Sequence, residues 1–167
     1  MTIKATDAKP APLGSRVSFL LSQLGARSAQ IFAERLAPLG LRPSQFGLLV
    51  AVALHDGSSQ QQLADVLGIH RNVMVGLVDA LEERGLIERR RHPSDRRAHA
   101  IALTADARDL LRRAEQQADE QDAELSAGLT PDERSQLLAL LQRLGQHVGI
   151  TPDVHPGLRA GPKPRTK

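Results

Sequence analysis

The stretch Ser59–Thr104, SQQQLADVLGIHRNVMVGLVDALEERGLIERRRHPSDRRAHAIALT, decides the fold. From His70 to Arg84, between Gly68 and Gly85, the apolar residues Val73, Met74, Leu77, Val78 and Leu81 recur at helical spacing, which predicts a helix with one buried face. Ahead of it, Ser59 and Gln62 have the spacing of a capping box for a short helix over 60–67 whose inner face is Leu63, Ala64, Val66 and Leu67. The turn Gly68-Ile69-His70 joins the two in the manner of a helix-turn-helix. Behind it, 86–91 and 98–103 read as two strands around His92-Pro93-Ser94-Asp95-Arg96-Arg97. A helix pair followed by a basic hairpin is the layout of a winged helix-turn-helix, so the expected fold is mainly α with a two-stranded wing.

Outward from this stretch the chain is helical. Val17, Leu20, Leu21, Leu24, Ile31, Phe32 and Leu36 keep an apolar stripe longer than one small core requires, and Gly25, Ala26, Ser28 and Ala29 leave room for a neighbouring helix. Pro38 and Gly40 end that segment, and Pro43-Ser44 opens a helix that is apolar on nearly all sides through Phe46, Leu48, Leu49, Val50, Val52 and Leu54, the expected centre of the core. Beyond the hairpin, Thr104 caps a long helix with Leu110, Leu111, Ala114, Ala118 and Leu125 inside and an acidic outer face. Thr130 and Glu133 have capping-box spacing around Pro131, opening a last helix with Leu137, Leu138, Leu140, Leu141, Leu144 and Val148. These leucines exceed what a terminal helix needs, and the surplus is read as a dimer surface shared with the first long helix. The expected organisation is a disordered arm over 1–12, a domain over 13–148, and a disordered basic tail over 149–167 able to add salt-sensitive attraction to DNA. Within the domain, 13–37 and 105–148 are expected to dimerise and 43–104 to form the DNA-binding lobe.

Composition narrows the function. A chain of 167 residues with 41% hydrophobic content suits one globular domain. The 22 Lys+Arg against 19 Asp+Glu leave a net charge of only +3, so clustering of arginine points to a polyanionic partner where net charge does not. The absence of cysteine excludes disulfides, thiolate metal sites and cysteine redox switches. No secretory leader and no long apolar run are visible, so a soluble, cytoplasmic protein without a membrane partner is expected. With three Phe and no Trp or Tyr, base-stacking platforms for single strands are lacking. The six histidines, His55, His70, His92, His99, His147 and His155, show no paired metal spacing, and no phosphate loop or nucleophile elbow occurs. The expectation is therefore a protein that is not an enzyme, with no catalytic residue, cofactor or metal.

Leu63-Ala64, then Leu77-Val78-Asp79-Ala80-Leu81-Glu82, Gly85-Leu86-Ile87-Glu88-Arg89, Asp95-Arg96-Arg97 and Leu103-Thr104, in this order, closely resemble the MarR family of bacterial transcription regulators. The resemblance covers 13–148 and implies a homodimer with interlocked terminal helices. It also implies two winged lobes on a palindromic operator, and a small aromatic or lipophilic acid that changes lobe spacing. On that basis Arg97 corresponds to the arginine that enters the minor groove, Asp95 to the carboxylate that orients it, and Arg96 faces phosphate or solvent. A solvated basic turn is the plain alternative. Strand alternation puts Arg89 and Arg91 on one face and Arg90 on the other, so Arg89 and Arg91 are the DNA candidates of that run. On the reading helix, Arg71 suits phosphate or guanine, Asn72 suits adenine or a local turn bond, and Val75 offers methyl contact. His70 stands where the family offers an N-cap hydroxyl, and its imidazole nitrogen can serve as the acceptor. The resemblance places the ligand pocket among segments carrying Phe19, Gln23, Phe46, Val50 and His55, with Arg16 or Arg27 available to a carboxylate; simple core filling by the phenylalanines is the alternative. The reading is a homodimeric duplex-DNA-binding regulator, a repressor released by a small ligand. Its rival is a winged-helix module that binds protein and no specific DNA.

Overall fold

The computed structural model describes residues 11–91, 99–151 and 154. A 3-10 turn at Leu13–Ser15 leads through an extended Arg16 into α1, Val17–Leu36, so the first helix starts later than 13. Gly14 disfavours continuous helix there, and the Ser15 hydroxyl donates to the Pro12 carbonyl instead. α2 is Pro43–Leu54, α3 Gln60–Leu67 and α4 Arg71–Glu82. β1, Ile87–Arg91, pairs antiparallel with β2, His99–Leu103, in the register Ile87 to Leu103 and Arg91 to His99. α5, Ala105–Leu125, and α6, Pro131–His147, complete the chain. The architecture is mainly α with a two-stranded wing, as the hydrophobic pattern predicts.

The core is built where α2, α3, α4 and the wing meet the start of α5. Leu48, Leu49, Val52, Leu63, Met74, Val78, Leu81 and Ile101 are fully enclosed, and Leu36, Ala107, Leu111 and Ala114 close it from the flanking helices. α2 is its centre, as its composition suggests, although Leu54 at its end is exposed. Phe46 stands edge-on to Phe32 of α1 with ring centroids 5.2 Å apart, a favoured aromatic geometry that seats α1 on α2.

Local chemistry sets the joints. The Ser59–Gln62 box forms reciprocally, Gln62 N donating to Ser59 Oγ at 3.2 Å and Ser59 N to Gln62 Oε1 at 2.7 Å. Gly85 adopts φ +68, which lets Leu86 N return to the Leu81 carbonyl at 2.9 Å and sends Leu86 into the core. One connection is not legible in the pattern: Ile101 N donates to the Ser58 carbonyl at 2.9 Å, and Ser59 bridges Ala100, so the turn before α3 adds a single rung to the wing. A one-residue bridge carries no alternation to read.

The flanking helices differ in attachment. α1 lies on α5, with Arg35 paired to Glu120 at 3.4 Å and Glu124 at 2.5 Å. Arg35 holds the Glu124 carboxyl below the usual carboxylate range, chiefly through that hydrogen bond. α6 buries no side chain; Arg134 reaches Asp122 of α5 at 2.5 Å, while Leu137, Leu138, Leu140, Leu141 and Leu144 face outward. At its end Gly149, at φ +73, forms a cap with Ile150 N bonded to the Gly145 carbonyl, and Val154 packs against the core. The expected tail thus begins, in its described residues, as a helix cap with an anchoring valine. The arm over 1–10 and the tail from 155 lie outside the described residues.

Candidate nucleic-acid interface

α4 offers one face to the core and the opposite one to solvent. Met74, Val78 and Leu81 are buried, and Arg71, Asn72, Val75 and Gly76 are exposed on the opposite side of the first two turns. Its start is capped by His70, whose Nδ1 accepts from Asn72 N at 3.2 Å, so the nitrogen acceptor replaces the usual hydroxyl. That bond uses the Asn72 backbone and leaves its side-chain amide without a hydrogen-bond partner among the described residues. Arg71 likewise makes no ion pair with a described residue. The expected trio Arg71, Asn72 and Val75 is therefore brought together, outward-facing, at the front of α4.

The wing root departs from expectation. Ile87, Arg89 and Arg91 share a strand face, but Ile87 is buried, so this face looks inward at its start and outward only at its end. Arg89 is half-buried and folded onto α4, where Nη2 lies 2.5 Å from Asp79 Oδ1 and Nη1 pairs with Glu82. Its charge is engaged inside the fold, shared between two carboxylates on the flank of α4 and leaving that trio with a net charge of −1. Arg91 is exposed, and Arg90 pairs with Glu88 on the other face. Neither Asp79 nor Glu82 is singled out by local sequence, because their partner is on another element. Asp95, Arg96 and Arg97 lie outside the described residues.

Thr104 joins this lobe to α5. Its Oγ1 donates to the Gly85 carbonyl at 2.8 Å and accepts from Ala107 N at 3.2 Å, so one hydroxyl caps α5 and holds the turn between α4 and β1.

The four expected ligand residues lie on α1, on α2 and at the end of α2. Phe19 is half-buried near the start of α1, Gln23 and His55 are exposed, and Phe46 packs on Phe32. A cleft of about 400 Å³ opens between α1 and α5, lined by Gly25, Ser28, Ala29, Phe32, Ala118, Gln121, Asp122 and Leu125. Gln121 is 6% exposed although Glu120 and Asp122 flank it in sequence. Reading 105–127 as an acidic outer face hides it; the spacing Leu111, Ala114, Ala118, Gln121, Leu125 is the signal that places it inward. Among the described residues no group of three or more His, Cys, Asp or Glu converges on a metal position. No single described helix is long and apolar enough to cross a membrane.

A helix-turn-helix with an outward, capped second helix and an antiparallel hairpin behind it defines a winged helix-turn-helix protein. The MarR family model matches residues 39–98, from before α2 into the wing. A proposed transcriptional regulatory protein for the hcr operon of Thauera aromatica is 38% identical over 113 residues, 68% of each chain. Among solved structures, the transcriptional repressor CouR bound to a 23-mer DNA duplex is 35% identical with a TM-score of 0.72, over 84% of this chain and 99% of that one. CouR from Rhodococcus jostii RHA1 bound to p-coumaroyl-CoA is 33% identical with a TM-score of 0.69, over 81% and 95%. The chain belongs to the MarR family, and the members similar to it are transcriptional regulators.

Proposed function

We propose that this protein is a homodimeric DNA-binding transcription regulator that represses from a palindromic operator and is released by a small aromatic or lipophilic acid or its thioester. The observation that carries the reading is the exposed front of α4, where the side chains of Arg71, Asn72 and Val75 have no hydrogen-bond or ion-pair partner among the described residues, together with a hairpin whose tip sequence holds Asp95, Arg96 and Arg97. A helix front of this kind suits the major groove, and a guanidinium at the hairpin tip suits the narrow, negative minor groove. Arg91 and Arg96 supply backbone contacts that position the lobe without reading sequence. The repressor CouR, solved on a DNA duplex and with p-coumaroyl-CoA, supports both the partner and the ligand class. Dimerisation is supported by α6, whose leucines have no cover among the described residues. Release requires the ligand to bind the DNA-incompetent lobe spacing more tightly, since equal affinity for both spacings shifts nothing.

The test is selection of bound fragments from genomic DNA, followed by fluorescence anisotropy on the recovered site with wild type, Arg71→Ala and Arg97→Ala. Tight, salt-dependent binding to a two-fold repeat, weakened in both variants and by p-coumaroyl-CoA or p-coumarate, is expected. Recovery of no preferred sequence would instead favour a protein-binding winged helix.

A further inference from the structure

We propose that His99 is a further DNA-binding residue of the wing, joining Arg91 on one backbone phosphate in its protonated form, so that operator binding takes up a proton. This contact deepens the DNA-binding reading above and rests on it. On α4, Asn72, Val75, Asp79 and Glu82 follow one another at intervals of three and four residues and so lie along one stripe of the helix. Asp79 and Glu82 are the two residues that Arg89 holds. The face of β1 that carries Arg89 is therefore laid against the stripe whose front holds Asn72 and Val75. Alternation returns Arg91 to that face two residues on, and the antiparallel register sets His99 directly opposite Arg91.

Burial along this face runs from inside to outside. Ile87, Ile101 and Leu103 are buried, Arg89 is half-buried, and Arg91 and His99 are exposed. Residues directly opposite on one sheet face have Cβ atoms about 5 Å apart, close enough for both side chains to reach a single phosphate. Neither Arg91 nor His99 has a side-chain hydrogen bond or ion pair with a described residue. The charged and titratable groups on the elements packed against the wing are Arg71, Asp79 and Glu82 on α4, Asp65 on α3, and His55 and Asp56 in the turn between α2 and α3; α2 itself carries none. Of the acids, Asp79 and Glu82 are held by Arg89, and Asp65 accepts from Gln61. Two cations directly opposite one another repel, and a phosphate set between them turns that repulsion into attraction. Protonation of His99 and binding of DNA thus favour each other. Affinity rises as pH falls through the titration of an imidazole, which for histidine lies between about pH 5 and 8.

The experiment is fluorescence anisotropy of the full-length protein on the operator recovered by selection, at fixed, near-physiological salt, with wild type, His99→Gln and His99→Lys. The ratio of wild-type to His99→Gln affinity is expected to be near one at about pH 8 and at least about threefold at about pH 6, within the range for one exposed charge pair. His99→Lys, whose charge is fixed, should exceed His99→Gln by a similar factor at both pH values. At the lower pH the salt dependence of wild type should be steeper than that of His99→Gln by roughly one counterion for each subunit. Calorimetry in two buffers of unlike ionisation enthalpy should show proton uptake by wild type that His99→Gln reduces. A ratio that is the same at both pH values, an unchanged salt slope, or proton uptake retained in full by His99→Gln would overturn the assignment of His99 and leave the DNA-binding reading in place. No duplex binding by wild type would overturn both.

Discussion

Arg89 on β1 places Nη2 2.5 Å from Oδ1 of Asp79 on α4, and its other terminal nitrogen pairs with Glu82 one turn further along the same helix. The wing and α4 are thereby clamped through a single side chain. The clamp also offsets one of the two negative charges on the flank of a helix that we propose lies close to phosphate. Arg89→Ala is expected to lower stability by up to about 1 kcal/mol, the ordinary worth of a partly exposed pair. It should weaken operator binding by more than that, through the released carboxylates. The triple variant Arg89→Ala, Asp79→Asn, Glu82→Gln should recover most of the DNA affinity. Anisotropy with all variants checks this: no recovery in the triple variant would mean that Arg89 itself touches DNA.

At the hairpin tip the expectation concerns the opposite kind of arginine. Arg97→Ala should leave melting temperature and dimer mass unchanged and cost about 1–3 kcal/mol of operator binding, the range for a good specific contact. Arg90→Ala, whose side chain pairs with Glu88 on the far face, should change affinity little. Parallel titrations at near-physiological salt separate the two; equal losses would dissolve the assignment.

The assembly is tested on α6. All five leucines from Leu137 to Leu144 are exposed in the single chain, although a helix so placed is marginal in water without tertiary cover. Leu141→Glu with Leu144→Glu should yield a monomer in sedimentation and remove binding to a two-half-site operator, whose half-sites are expected about 34 Å apart. A variant that still sediments as a dimer with wild-type affinity would refute this use of the surface.

Most of the fold was legible because it rests on local signals. Ser59, Thr104 and Thr130 stand where their hydroxyls accept from the third residue of each helix, and Val78 and Leu81 repeat at the period that buries them. The site was less legible because its decisive contacts are long-range. Arg89 and Asp79 belong to different elements, so strand alternation alone assigned Arg89 to the outer face with Arg91. Gln121 was hidden by charged neighbours at 120 and 122, since a local reading of composition overrides the helical period that places it against Ser28. The ligand residues expected at Phe19, Gln23, Phe46 and His55 rest on the family resemblance, because packing between helices is encoded in no single segment.

Thr104 couples lobe and long helix through one hydroxyl. Thr104→Val keeps the shape and removes both bonds, leaving Ala107 N uncapped and the Gly85 carbonyl without its donor. A loss of about 1–2 kcal/mol is expected from the cap alone. Thr104→Ser should restore most of it, which chemical denaturation of the three proteins would measure. No loss in valine would remove the hydroxyl from this joint, and a loss in serine equal to that in valine would show that the hydroxyl does not hold it without the methyl.

The start of α6 carries a pH dependence whose sign follows from its cap. Glu133 accepts from Thr130 N at 2.8 Å and from the Thr130 hydroxyl at 2.9 Å, and these bonds hold its carboxyl below the usual carboxylate range, the backbone bond first. A carboxylate depressed in the folded state adds stability above its free-chain value of roughly 4.3 and loses that stability as pH falls through the lower folded value. Glu124, depressed by Arg35, acts in the same direction on the α1–α5 contact. The helical content of α6, and the dimer that we assign to it, should therefore weaken below about pH 4 and be insensitive to these groups near neutrality. Glu133→Gln retains an acceptor for Thr130 N without the charge. It should start from lower stability at neutral pH and show a flatter acid limb in circular dichroism and sedimentation. An acid limb as steep as that of wild type would remove Glu133 from the pH response and leave Glu124 as the group to replace next.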